Sequence, residues 1–131
     1  MENNNKLLGN KGEFIAGEYI IKNGYKILYK NFRLKHYEID IIAKQNDGTI
    51  VFFEVKTIFS ALFNKNQLMP EDNMNYWKIN KIIKASKIFI LKHPHLINED
   101  KGWRIDLVAV TIGDGNEKNE EEVKVDHYEN I

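Results

Sequence analysis

The sequence predicts a mixed α/β fold of about five strands and two helices, in the order α-β-β-β-α-β-β. Three observations carry that prediction. Two runs rich in β-branched and aromatic residues, Tyr37 to Ala43 and Thr49 to Lys56, flank an Asp47-Gly48 turn and read as an antiparallel hairpin. Further on, Ile79, Ile82, Ile83, Ser86, Phe89 and Ile90 fall within an arc of about 120° at 3.6 residues per turn, the stripe of a core-facing helix. The strand-like run Trp103 to Ile112 follows that helix, and a helix between strands permits a crossover and hence a mixed sheet.

In chain order, residues 1–6 read as a frayed polar leader and Leu7 to Lys22 as the first helix, closed at Asn23-Gly24, where glycine suits the left-handed position past the last turn. Gly9, Gly12 and Gly17 each cost that helix about 1 kcal/mol relative to alanine. They imply either a close backbone approach or a later helix start, and the later start puts Glu13 near the first turn as a helix-end charge. Tyr25 to Arg33 is a first strand, followed by the hairpin. Thr57 to Tyr76 has no sustained period and reads as a long loop, with one helical turn over Phe59 to Asn64. Trp77 to Lys92 is the clearest helix, ended by His93-Pro94. Trp103 to Ile112 is the fourth strand, Gly113 to Glu122 an acidic turn, and Val123 to Tyr128 an edge strand.

Composition sets bounds. At 131 residues the chain is read as one domain with a real core, and 43% hydrophobic with 29% charged residues is ordinary for a water-soluble protein. Nineteen basic residues balance nineteen acidic ones, so nucleic-acid binding would have to come from local clustering. The absence of cysteine excludes disulfides and thiolate metal sites and is compatible with a reducing compartment. No apolar run approaches a membrane span, so the expected location is cytoplasmic, with no membrane partner.

The charges within the hairpin point to chemistry. Residues two apart in a strand share a face. Glu38 and Asp40 are therefore expected on one face with Glu54 and Lys56, opposite Ile39, Ile41, Val51, Phe53 and Val55. Charges set into apolar strands are costly unless paired or bound to a cation. Asp40 and Glu54 on neighbouring strands, with the Val55 carbonyl, can hold Mg²⁺, or Mn²⁺ in its place. Lys56 can then reach a phosphate or a metal-bound water, a set suited to phosphodiester hydrolysis. Glu13 or Glu38 could join as an accessory carboxylate. The bland alternative is a cross-strand salt bridge of Lys56 with Glu38 or Asp40, worth about 0.2–1 kcal/mol.

On the long helix, Lys78, Lys81, Lys84, Lys87 and Lys92 have no acidic residue among them. They read as a solvated face or as a phosphate-contacting surface, with Arg33 contributing. His36, His93, His95 and His127 lack metal-site spacing. Asp106 reads as a structural partner for Arg33 or Lys56, and Trp77 and Trp103 as core or edge packing.

Gly12-Glu13, Ala16, Gly24-Tyr25, Asn31, Arg33, Glu38-Ile39-Asp40, Val51 to Thr57, Lys78, Ala85, Arg104-Ile105-Asp106 and His127-Tyr128-Glu129-Asn130 together resemble the bacterial YraN-like family over nearly the whole chain. That family is similar to the restriction-endonuclease-like superfamily and to Holliday-junction resolvases. The resemblance implies a PD-(D/E)xK-type site in which Asp40, Glu54 and Lys56 fill the motif positions and Glu13 matches the first-helix glutamate. The chain departs from the family at Tyr37 and Ile58, usually Gly and Arg, and across 58–76, which bears on substrate contacts. The expectation is a Mg²⁺-dependent endonuclease acting on branched or structured DNA, with a homodimer implied by the resolvase likeness. The alternative is a nucleic-acid-binding or adaptor protein with the same fold that cleaves little, and a purely structural protein is the blandest reading.

Overall fold

The computed structural model describes residues 4–60, 76–113 and 122–131. Its elements are α1 (Asn4–Lys22), β1 (Lys26–Arg33), β2 (Glu38–Lys44), β3 (Ile50–Ser60), α2 (Tyr76–Lys92), a short 3-10 turn (Pro94–Leu96), β4 (Trp103–Gly113) and β5 (Glu122–Tyr128). The α-β-β-β-α-β-β order and the mixed five-stranded sheet agree with the sequence reading. Strand order is β1-β2-β3-β4-β5, with only the β3–β4 pair parallel, as the crossover through α2 requires.

The helices cover opposite faces of the sheet. Ala16 and Ile20 of α1 pack on Ile41, Val51, Phe53, Val55 and Val110. Ile82, Ala85 and Phe89 of α2 pack on Ile39, Ile42, Ile50, Phe52 and Ile105. β3 therefore lies between two apolar layers, which is why its run Ile50-Val51-Phe52-Phe53 is apolar on both sides. Gly24 (φ 92°) and Gly48 (φ 100°) close α1 and the hairpin in the left-handed region.

Three expectations change. First, α1 begins at Asn4, so the frayed leader does not extend to residue 6, and Glu13 sits mid-helix rather than near its first turn. The glycines permit close approach instead of a late start: a Cβ at Gly12 would lie 2.7 Å from Thr57 Cβ, inside any allowed contact. Second, β3 continues to Ser60, because Thr57, Ile58 and Phe59 pair in parallel with Val110, Thr111 and Ile112. The expected helical turn is thus overturned at Phe59, while residues 61–75 of the expected loop, and 114–121 of the acidic turn, lie outside the described residues. Third, Ile39 and Ile41 do not share a face, since Ile39 joins the α2 layer and Ile41 the α1 layer. The change of face falls at Asp40. The flanking pairs Lys30↔Ile41 and Phe32↔Ile39 set Asn31 of β1 across from it, and Asn31 itself has a left-handed φ of 53°, so both strands are irregular at this rung.

Candidate active site

The site forms where two ladders part. β2 and β3 pair from Lys44↔Ile50 to Ile41↔Phe53 and no further. Beyond that rung, the Glu38–Asp40 end of β2 stays with β1, and Glu54 onwards stays with β4. The strands open into a notch, and one further step of register sets Asp40 opposite Glu54 at its vertex. Asp40 turns into the gap and accepts a hydrogen bond from the Val55 N–H at 2.7 Å. Because the N–H and C=O of one strand residue point toward the same neighbour, the Val55 carbonyl also faces this notch.

The two carboxylates crowd each other. Burial, and then the neighbouring Glu54, push the Asp40 carboxyl up to about 8, against the pull of the Val55 N–H. Glu13, held close to β3 by the Gly12–Thr57 approach, lies on the α1 side of the notch. Its carboxyl is raised by burial and by Glu38 and Glu54, and Lys30 and Arg33 oppose the shift. Glu13, Asp40, Asn31, Lys30 and Phe14 line a pocket of about 170 Å³.

The cations gather on Glu54, which is 7% exposed. Lys78 Nζ lies 3.0 Å from Glu54 Oε1 and Lys56 Nζ lies 3.6 Å from the same atom. Lys56 thus pairs along its own strand, not across it with Glu38 or Asp40. Lys78, expected on the solvated face, turns to the sheet, whereas Lys81, Lys84 and Lys87 are exposed. Helical spacing carries that signal: Lys78, Ile82, Ala85 and Phe89 follow an i, i+4, i+7, i+11 stripe. Arg33 and Glu38, exposed at the sheet edge, face each other at 3.7 Å. Trp103 packs edge-on to Phe52, but Trp77 is exposed rather than packed.

Asp40, Glu54 and the Val55 carbonyl are the oxygen donors a hard divalent cation could use, and the upward shift of Asp40 marks a place where such a cation would relieve repulsion. Among the described residues no three His, Asp or Glu side chains are grouped as metal ligands, so neither Glu13 nor Glu38 completes a three-carboxylate set here.

Sequence reasoning missed a second polar cluster. Asp106, fully buried on β4, accepts hydrogen bonds from Arg104 Nε (3.0 Å) and the Asn130 N–H (2.9 Å), and His127 Nε2 lies 2.7 Å away. Tyr19 Oη meets His127 Nδ1 at 3.2 Å, and Arg104 also donates to the Tyr25 hydroxyl (2.8 Å) and to Gln45 (2.9 Å). Burial alone would raise the Asp106 carboxyl, but the bonds from His127, Arg104 and Asn130 outweigh it and hold it below the usual carboxylate value. Its partners are therefore Arg104 and His127, not Arg33 or Lys56. The signal was present in Gly24-Tyr25, Arg104-Ile105-Asp106 and His127 to Asn130, which are remote in sequence and meet here.

Comparison with known proteins places the chain. The profile of "Uncharacterised protein family UPF0102" matches residues 12–110. A UPF0102 protein of Clostridium botulinum (strain 657 / Type Ba4) is 41% identical over 108 residues, covering 82% of each chain. One from Caldicellulosiruptor bescii is 42% identical over 114 residues, covering 86% of this chain and 89% of its own. Among solved structures, a repair endonuclease from Pyrococcus abyssi aligns with a TM-score of 0.38 and 17% identity, over 83% of this chain and 38% of that one. This chain spans well under half of that endonuclease. Profile and relatives agree with the YraN-like resemblance, and the chain belongs to the UPF0102 family.

Proposed function

We propose that this protein is a metal-dependent endonuclease hydrolysing phosphodiester bonds in branched or structured DNA from a PD-(D/E)xK-type site. One observation carries the reading: Asp40 and Glu54 meet at the vertex of the β2–β3 notch, with Lys56 on the same carboxylate. Asp40, Glu54 and the Val55 carbonyl would hold Mg²⁺ or Mn²⁺. When bound, such an ion offsets phosphate charge and acidifies a coordinated water. Lys56 sets a second positive charge at the site for the developing phosphorane. Glu13 borders the same pocket with a carboxyl that holds its proton more tightly than usual, and so can exchange one there. Lys81, Lys84, Lys87 and Arg33 supply phosphate contacts. With a formal net charge of zero, binding rests on that local cluster and falls steeply with salt.

The test compares junction, flap and linear DNA, with Mg²⁺, with Mn²⁺ and with chelator, for the parent and Asp40→Ala. The expected result is metal-dependent cutting of at least one structured substrate that Asp40→Ala abolishes. Cutting that survives in the variant, or no cutting of any substrate, sinks the proposal. A second reading, a binding or adaptor protein on this fold, is favoured by one observation: Lys78 and Lys56 already neutralise Glu54. Retained DNA binding without cleavage would select it.

A further inference from the structure

Two adjacent aromatic residues open α2 in full view of solvent. Tyr76 is 77% exposed and Trp77 76% exposed. Large aromatic side chains are usually well buried, and two together at a helix start leave an uncommon apolar surface that no other described residue covers. Their neighbours give that surface a context. Lys78, one residue on, reaches Glu54 at 3.0 Å, so the helix turn that carries the pair also touches the candidate active site. Lys81 and Lys84 follow Trp77 by four and seven residues, so the indole heads an exposed stripe of lysines. No acidic residue interrupts α2.

Resting on the nucleic-acid reading above, we propose that Trp77, flanked by Tyr76, is a stacking platform for an unpaired base of the strand whose phosphates lie along Lys81 and Lys84. The occupant is single-stranded DNA, or the unpaired arm of a branched molecule. Charge complementarity selects a polyanion, and the aromatic faces select one with a free π-surface. Duplex DNA fits the lysines but not the indole, because its base faces are covered by their own neighbours. Tyr76 and Trp77 then set specificity by recognising the nucleotide next to the attacked phosphate, while Asp40, Glu54 and Lys56 act on the phosphate itself.

The test uses fluorescence in chelator, so that no cutting is required. The chain has two tryptophans, and Trp103→Phe leaves Trp77 as the sole indole. Oligo(dT) is expected to quench its emission, and a blunt duplex of the same length is not. Trp77→Ala should weaken oligo(dT) binding by about 5-fold or more, and Trp77→Phe should retain most of it. Being exposed, Trp77 can be replaced without loss of the core, which circular dichroism checks. Oligo(dT) binding that leaves the emission unchanged, or that Trp77→Ala does not weaken, overturns the inference. Asp40-dependent cutting that is indifferent to Trp77→Ala overturns it too, while leaving the nuclease reading intact. Quenching and Trp77-dependent binding without any cutting support it and discard the nuclease reading alone.

Discussion

Lys78 Nζ sits 3.0 Å from Glu54 Oε1, tying the first turn of α2 to a strand carboxylate that is almost wholly shielded from water. An ion pair in that position competes with any divalent cation for the same oxygen. Lys78→Met should therefore destabilise the metal-free protein by about 1–3 kcal/mol, as for loss of a hydrogen bond to a charged group. Mg²⁺ should restore more of the melting temperature in this variant than it adds to the parent. Thermal melts with Mg²⁺ and with chelator check both, and equal Mg²⁺ effects in the two proteins would count against a cation site at Glu54.

Asp40 makes stability depend on pH in an unusual direction. Its folded value of about 8 stands above the ordinary 3.8, so between those values the folded chain holds a proton that the unfolded chain has released. The stability from that proton is complete below the unfolded value and is lost as pH rises through about 8. In chelator, the parent's melting temperature should fall between about pH 5 and 8. Asp40→Asn should flatten that fall and exceed the parent at the alkaline end. Added Mg²⁺ at that pH should stabilise the parent and do less for Asp40→Asn.

Asp106 runs the other way. Its carboxyl is held below the ordinary value, so its contribution is present at neutral pH and is lost as acid carries it through its folded value. Asp106→Ala leaves the Arg104 guanidinium and His127 without their shared acceptor. The expected cost is about 3–5 kcal/mol, read by urea unfolding at neutral pH. A cost near zero would mean that the cluster is incidental to folding.

The glycines of α1 separate cleanly. Gly12→Ala should cost about 1–3 kcal/mol, because the new Cβ collides with the Thr57 side chain, and Thr57→Ala should relieve part of that cost. Gly9→Ala meets nothing within 4 Å and should stabilise by about 1 kcal/mol through helix propensity alone. Chemical denaturation of the two single variants distinguishes them. If Gly12→Ala also displaces Glu13, DNA cutting should drop by more than the lost stability explains.

What the sequence made legible follows from local physics. The hairpin and α2 could be read because alternation, a left-handed Gly48 and an uninterrupted apolar stripe are properties of neighbouring residues. The inward turn of Lys78 was also legible from its spacing to Ile82 and Ala85, but five lysines on one helix masked it. The split of Ile39 and Ile41 could not be read this way: asparagine tolerates the left-handed region, but nothing in Tyr-Lys-Asn-Phe-Arg says that Asn31 adopts it opposite Asp40, where β2 changes face. The Asp106 cluster was beyond spacing arguments altogether, because Tyr19 and His127 meet across 108 positions of chain. β3 outruns its expected end because Thr57, Ile58 and Phe59 are held by parallel pairing with Val110, Thr111 and Ile112, partners remote in sequence that no local pattern reveals.

The bond from the Val55 N–H to Asp40 has a consequence for how this site can be probed. Where β2 leaves β3, the main chain would have an orphan donor, and a side chain stands in as the missing rung of the ladder. The same carboxyl thus bridges the two strands and is the group that would take on charge when a cation binds. Alanine at position 40 removes both at once and frees the two strands to zip further or to gape. Asparagine keeps an oxygen on the rung and removes only the ability to ionise, so the difference between Asp40→Ala and Asp40→Asn measures how much of the site is scaffold and how much is reagent.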